Sequence, residues 1–364
     1  MARRAAAAAV GNLAPLRLLL VVNSYASSVT ARSRVVIQKA LSADHDYEGE
    51  LSTSEVFGVM DDLKNYRVPV LILSGGEPLM RPDIFEIAEH AKAMKFYTGL
   101  STNGTLIDEE MAFKLRDHGV VCHAISLDAA TPAIHDMVRN KPGAFDRTLR
   151  AIKATKKAGI LLQINTTAME YNMPHLPELI DFADRCGAGI MLMYQLVAVG
   201  RGEKIEKATL KKSANKHLSE MIAEKQKNAT TIIEPVAGPQ YWPYLLEKKG
   251  FTEGLRLKLA GKVFHGCAAG RGFVYVKANG DVWPCPFVEV NAGNIRDRNF
   301  KAIYEESPVF QNLRRREELL KGACGECHYK TVCGGCRGRA HAYSGDYLQE
   351  DPRCYIRETT QNHS

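Results

Sequence analysis

No stretch of this chain approaches about 18 uninterrupted apolar residues, the length a helix needs to cross a bilayer. Leu18–Val22 is apolar but far too short, so no membrane association is expected. Basic residues are not interleaved with aromatics into a stripe, which removes the usual signature of a nucleic-acid surface. The net charge of +7 is mild and spread along the chain, which suits a solvated surface or an anionic substrate. A convincing export signal is also missing. Met1-Ala-Arg-Arg and the alanines behind it look like the start of a targeting segment, but Gly11 and Asn12 interrupt the run. An over-extended gene start is the expected origin, and the cytoplasm, where thiols stay reduced, the expected location. Cysteine is sparse at the front: the first in the chain is Cys122.

What is present is concentrated at the other end. Of nine cysteines, seven fall in the last hundred residues: Cys267, Cys285, Cys324, Cys327, Cys333, Cys336 and Cys354. The centre reads Cys-Gly-Glu-Cys-His-Tyr-Lys-Thr-Val-Cys-Gly-Gly-Cys, two Cys-x-x-Cys pairs with five residues between them. Thiolate is a soft ligand for iron–sulfur clusters and zinc. A disulfide framework belongs to small secreted domains, and this chain has 364 residues. Zinc ribbons separate their pairs by roughly 15–20 residues. Iron–sulfur ligation is therefore favoured over zinc. Cys122 and Cys186 stand apart and read as core residues.

Length predicts about two domains, and 45% apolar content is ample for a core. Between Leu16 and Lys227 short β-rich runs alternate with helical stretches. The strands are expected at Leu18–Val22, Val68–Leu73, Thr98–Ser101, His123–Leu127, Leu161–Thr167 and Gly189–Leu196. The helices are expected at Thr53–Asn65, Asp83–Met94, Asp108–His118, Phe145–Ala158 and His175–Cys186. Ser52 and Glu55 have capping-box spacing, and Gly119, Gly159 and Gly187 fall where helices should stop. Six β-α units imply an α/β fold on a parallel sheet, open or closed into a partial barrel, with function at the carboxyl ends of the strands. Polar signals sit there: Ser74-Gly75-Gly76-Glu77-Pro78, Ser101-Thr102-Asn103-Gly104 and Ser126-Leu127-Asp128. Amides beside two glycines can bind a carboxylate, Glu77 can hold an ammonium, and Ser126 and Asp128 can bond ribose hydroxyls. Together they suit a ligand with an amino-acid end and a nucleoside end.

Gly-Gly-Glu-Pro, Ser-Thr-Asn-Gly and the cysteine-rich C-terminus resemble radical S-adenosylmethionine (SAM) enzymes of the SPASM class over about residues 50–357. The resemblance implies a partial (β/α)6 TIM-like barrel followed by a small SPASM domain with one or two auxiliary [4Fe-4S] clusters. It implies that Gly75, Gly76 and Glu77 bind the methionine end of SAM, with Ser101, Asn103, Ser126 and Asp128 lining the rest. The implied division is an aberrant segment 1–49, a barrel 50–235, a linker 236–265 and the cluster domain 266–364. One cluster is expected on Cys324, Cys327, Cys333 and Cys354, with Cys267, Cys285 and Cys336 around a second that keeps one iron open.

Such enzymes carry Cys-x3-Cys-x2-Cys after strand one, and no cysteine lies between Val22 and Glu50. Asn23–Ala43 shows neither helical nor strand period. Two explanations stand: a degenerate paralogue, or a local frameshift in the gene model, the latter favoured because the SAM-binding motifs downstream are intact. Val70–Phe85, Leu196–Gly202 and Cys333–Tyr347 are similar to the enzymes of alternative haem and haem d1 synthesis. This implies a tetrapyrrole substrate and a ferredoxin or flavodoxin as reductant. Where relatives have Phe-Arg-Gly this chain has Val138-Arg139-Asn140, and Asn tolerates glycine-like backbone angles. Arg337, Arg339 and His341 are expected either to meet an anionic macrocycle or to form a solvated rim around a cluster. The alternatives are a peptide-modifying SPASM maturase and a non-catalytic iron–sulfur carrier.

Overall fold

The computed structural model describes residues 34–38, 49–264 and 266–356. Its core is one nine-stranded sheet of order β7-β6-β5-β4-β3-β2-β1-β8-β9. The strands are β1 Arg34–Gln38, β2 Val70–Ser74, β3 Tyr97–Thr102, β4 Val120–Ser126, β5 Leu161–Ala168, β6 Ile190–Gln195, β7 Ile232–Val236, β8 Val274–Val276 and β9 Val282–Trp283. Each neighbouring pair from β7 to β8 runs parallel, and only β8 and β9 are antiparallel. The outer strands β7 and β9 do not pair, so the sheet is an incomplete barrel.

Helices α1 Thr53–Asn65, α2 Ile84–Ala93, α3 Glu109–Asp117, α4 Pro132–Arg139, α5 Ala144–Lys157 and α6 Leu176–Arg185 fill the crossovers; the periodicity predicts all of them but the short α4. The capping box forms: the Ser52 hydroxyl accepts from the Glu55 N–H, and the Glu55 carboxylate accepts from the Ser52 N–H at 2.7 Å. Asn140 closes α4 in the left-handed region at φ +50°, a backbone role that glycine commonly fills at helix ends. Alternation along the strands divides their side chains between two faces. Leu71, Leu73, Leu100, Ile125, Leu162, Ile164, Met191 and Met193 are buried in the apolar core with the helices. Ser74, Ser101, Ser126, Asn165 and Thr167 face the opposite way and are only half-buried.

Two expectations are corrected here. The first described strand is Arg34–Gln38, inside a stretch whose sequence shows neither helical nor strand period. It pairs residue by residue with Val70–Ser74 on one side and with Val274–Val276 on the other. Five residues whose partners are both remote leave no local signature, whereas Val35-Val-Ile supplies the β-branched side chains a doubly paired strand wants. Leu18–Val22 lies outside the described residues, as does most of the loop after β1. The expected linker 236–265 holds two helices, α7 Tyr241–Lys248 and α8 Gly254–Val263, with Tyr241, Trp242 and Leu246 buried in the common core.

The cysteine-rich part is bonded to the barrel by more than β8. The Leu51 N–H donates to the Ala278 carbonyl at 2.7 Å, and the Phe300 N–H to the Asp62 carboxylate at 3.0 Å. Arg296 forms a fork on the Glu55 carboxylate, whose pKa these bonds lower to about 2.

Candidate SAM site and cluster pockets

The carboxyl edge of the sheet places the polar loops side by side. Gly75 takes φ +151°, open to glycine, and turns the chain out of β2. Glu77 then lies buried under that turn. Its carboxylate accepts from the Thr102 hydroxyl at 2.8 Å, the Asn103 N–H at 2.9 Å and the Leu79 N–H at 3.2 Å. Burial pushes its pKa up, and these donors work against that rise. A carboxylate offers about four lone-pair sites, so three donors leave room for one more cationic partner. Asn103 fixes the next loop, its side-chain oxygen accepting from the Thr105 N–H and hydroxyl, both at 2.7 Å. Ser101 and Ser126 sit on the half-buried face of β3 and β4, and Ser126 is in register with Asn165 of β5.

Asp128 is placed differently from a ribose ligand. It is fully buried, with Arg139 Nε 2.7 Å from Oδ2 and the Thr167 N–H donating to Oδ1 at 3.1 Å. Its own N–H donates to His135 Nδ1 at 3.1 Å. His135 is thereby neutral at ordinary pH, with burial lowering its pKa to about 4 against the pull of the Asp128 charge. Asp128 therefore joins β4, α4 and β5 at the mouth.

The seven C-terminal cysteines fall into two neighbourhoods. Burial raises the pKa of Cys285, and the thiols of Cys267 and Cys336 raise it further. Burial does the same for Cys333, with Cys354, Cys324 and Cys327 as its thiol neighbours, and Cys354 is pushed up to about 12. The turn between the sets depends on Gly334 at φ +68° and Gly335 at φ +61°. A Cβ at Gly335 would come within 2.9 Å of Cys324 Sγ. Cys267 is held against this turn, its N–H donating to the Cys333 carbonyl at 3.2 Å. Among the described residues no three ligand-type side chains close around a single ion. Thiolates on a four-iron cluster each bind a different iron and stand further apart than that. The donor set fits iron–sulfur clusters for a second reason: each neighbourhood has a buried guanidinium. Arg316 donates to the Cys267 carbonyl, and Arg337 Nη2 lies 3.5 Å from Cys324 Sγ.

The basic cluster Arg337, Arg339 and His341 is a further correction. Arg337 and Arg339 are buried, and only His341 is half-exposed. Arg337 donates to the Tyr347 and Gln349 carbonyls at 2.9 and 2.6 Å. Arg339 pairs with buried Asp351 and reaches across to Gln195 of β6 and the Ala237 carbonyl, both at 2.8 Å. Neither faces solvent. Arg316, Asp351 and Asn165 were missed. The signal available for the last was its strand alternation with Gln163 and Thr167; for the other two the sequence carries none. Cys122 lies on β4, and Cys186, at the end of α6, packs on the core.

The family description "Radical SAM superfamily" matches residues 31–183, and "Iron-sulfur cluster-binding domain" matches residues 267–328. The chain is 39% identical to the AdoMet-dependent heme synthase of Methanosarcina barkeri over 85% of its length and 88% of that protein. It is 32% identical to the pre-heme d1 synthase of Dinoroseobacter shibae, covering 87% of this chain and 81% of that one. Mycofactocin maturase of Mycobacterium tuberculosis is 32% identical over 84% and 75% of the two chains. The fold matches Streptococcus suis SuiB bound to its precursor peptide SuiA, with a TM-score of 0.71 at 17% identity, over 93% of this chain and 79% of that one.

Proposed function

Because the chain belongs to the radical SAM enzymes that carry a C-terminal iron–sulfur module, with SAM and [4Fe-4S] clusters as cofactors, we propose that its substrate is a tetrapyrrole. The reaction read for it is remodelling of a haem-precursor side chain. The observation carrying this reading is the 39% identity to a heme synthase across most of both chains. The loop after β6 lends support. Segment Gly200–Ala208 exposes Arg201, Lys204 and Lys207 beside the carboxyl edge, suited to the carboxylates of an anionic macrocycle.

Gly75, Gly76 and Glu77 are read as the seat of the methionine end of SAM, with the remaining Glu77 lone pair for its ammonium. Ser101, Asn103 and Ser126 line the approach to the nucleoside. Asp128 acts on that surface through Arg139 and the β5 backbone. Cys324, Cys327, Cys333 and Cys354 are the ligand set assigned to one auxiliary cluster, and Cys267, Cys285 and Cys336 to a second. A ferredoxin or flavodoxin is the class of reductant this chemistry calls for.

SAM chelated to a reduced cluster supplies a 5′-deoxyadenosyl radical in this family, and the residues present do not fit that catalytic cluster. No thiol precedes Cys122, and none follows β1 before Glu50. No radical step is therefore assigned to the chain as it stands. Its intact SAM edge favours a local frameshift, which resequencing the DNA for residues 20–50 decides. The functional test compares the chain with a version whose Cys-x3-Cys-x2-Cys loop is restored, anaerobically with dithionite. The unaltered chain is expected to yield no 5′-deoxyadenosine; the restored one should yield it and change the mass of an iron porphyrinoid bearing propionates. Mycofactocin maturase keeps a second reading open, and turnover of a peptide but not a porphyrinoid would establish it instead.

A further inference from the structure

We propose that Arg316 is a built-in counter-charge for the cluster of Cys267, Cys285 and Cys336, setting its reduction potential and its retention. The inference rests on the assignment of those three cysteines as cluster ligands. It starts from an imbalance in the structure. Arg316 is completely buried, yet only Nη1 has a hydrogen-bond acceptor, the carbonyl of Cys267. Among the described residues its Nε and Nη2 are buried with no partner. Isolating a charge this way is costly, so buried guanidiniums are ordinarily paired.

The neighbouring Glu317 carboxylate favours the charge, but less than Cys267 does. Glu317 is engaged by Arg271, in contact through Nη1 and Oε1. The other nearby charges, Arg271 and Arg337, are positive and oppose it, while Cys267 is the leading favourable neighbour. The contrast with Arg337 is instructive. That side chain is equally buried but spreads its donors over the carbonyls of Gly335, Tyr347 and Gln349. Arg316 has no such set.

The space around Arg316 is also reserved. Gly334 sits in the left-handed region, and a Cβ there would lie 2.9 Å from Arg316 Nε and 3.1 Å from its Cζ. The glycine lets the Cys333–Cys336 turn close over the guanidinium while leaving its free N–H groups clear. Those two donors, adjacent to Cys267 and facing the turn that carries Cys336, match what a cluster presents. A thiolate-bound four-iron cluster is an anion whose sulfurs accept hydrogen bonds. One-electron reduction, by dithionite in the test below, adds a further negative charge with no bond made or broken. A fixed cation nearby favours the reduced form, and hydrogen bonds to sulfur raise the potential in the same direction.

The test uses the full chain, in which these seven cysteines are the clustered thiols. It is reconstituted anaerobically with iron and sulfide. Iron per chain is measured, and reduction is followed by EPR in a potentiometric titration, for the wild type, Arg316→Met and Arg316→Lys. Methionine matches the volume without charge; lysine keeps the charge without the fork. The methionine variant should reduce at a more negative potential, or lose part of its iron, while the lysine variant stays close to wild type in both. A side chain serving only as packing would leave the potential unmoved. Equal potentials and iron contents in all three proteins, or the same loss in both variants, would overturn the inference while leaving the ligand assignment standing. A wild-type chain that takes up no cluster would overturn the assignment and the inference with it.

Discussion

Replacing Asp351 with alanine should be among the most damaging single changes outside the apolar core. Its buried carboxylate accepts from Arg339 Nη1 at 3.0–3.1 Å, Gln240 Nε2 at 2.7 Å, the Cys336 N–H at 2.9 Å and the Arg353 N–H at 3.0 Å. Arg339 has only neutral acceptors besides it, Gln195 and the Ala237 carbonyl. Asp351→Ala therefore strands a buried cation, a loss of about 3–5 kcal/mol. The two backbone N–H groups and the Gln240 amide lose an acceptor as well, each worth about 1–3 kcal/mol where water cannot enter. These losses overlap, so the lower bound is about 3 kcal/mol. With a urea slope of about 3 kcal/mol/M, the midpoint should fall by roughly 1 M or more. The double variant Arg339→Met with Asp351→Ala removes both charges and, set against the two single changes, should recover part of the loss, giving a non-additive cycle. A shift worth less than about 1 kcal/mol for Asp351→Ala, or strict additivity in the cycle, would refute the reasoning.

Three further outcomes follow from the same geometry. Glu77→Ala should abolish SAM binding measured by equilibrium dialysis and cost about 1–3 kcal/mol in urea melts, since the Asn103 N–H loses its acceptor; retained SAM affinity would remove Glu77 from the site. Burial lowers the pKa of His123 to about 4, below the roughly 6.5 of an unfolded histidine, so the unfolded chain binds more protons between those values. Stability should accordingly fall as pH drops from about 6.5 towards 4, and His123→Phe should flatten that slope; an unchanged slope counts against it. Gly104→Ala, at φ +78° with its Cβ 3.0 Å from Ile125 Cγ2, should lower the thermal midpoint by an amount equivalent to about 1–3 kcal/mol; a neutral result would show that the Asn103 loop yields easily.

The parts of the fold legible in the sequence are those whose cause is local. The crossover helices follow from their apolar stripes, the capping box from Ser52 and Glu55, and the left-handed end of α4 from Asn140. The polar ends of β2, β3 and β4 are visible because turn chemistry interrupts an apolar run. What could not be read depends on distant partners. The strand Arg34–Gln38 is defined by residues 70–74 and 274–276, neither of them near it in the chain. Arg337 and Arg339 look like surface residues because arginine is seldom buried without a partner. The carboxylate that buries Arg339 comes from Asp351, and the carbonyls that bury Arg337 from Tyr347 and Gln349, after the intervening helix Arg337–Ser344. Asp128 was legible as a strand-end acid, but its engagement by Arg139 and Thr167 was not.

The shared sheet also bears on how such a protein can be taken apart. Because β1 is hydrogen-bonded to β2 on one flank and β8 on the other, the cysteine-rich part supplies a side wall of the barrel itself. Cutting the chain before residue 266 would bare the edge of β1 at Val35–Ile37 that Val274–Val276 covers, a template for association with another chain. Exchange of cluster modules between relatives would have to carry the first strand with it, and a recombinant barrel expressed alone should come out as aggregate. The module behaves as masonry, and the seam between the two halves runs through the sheet.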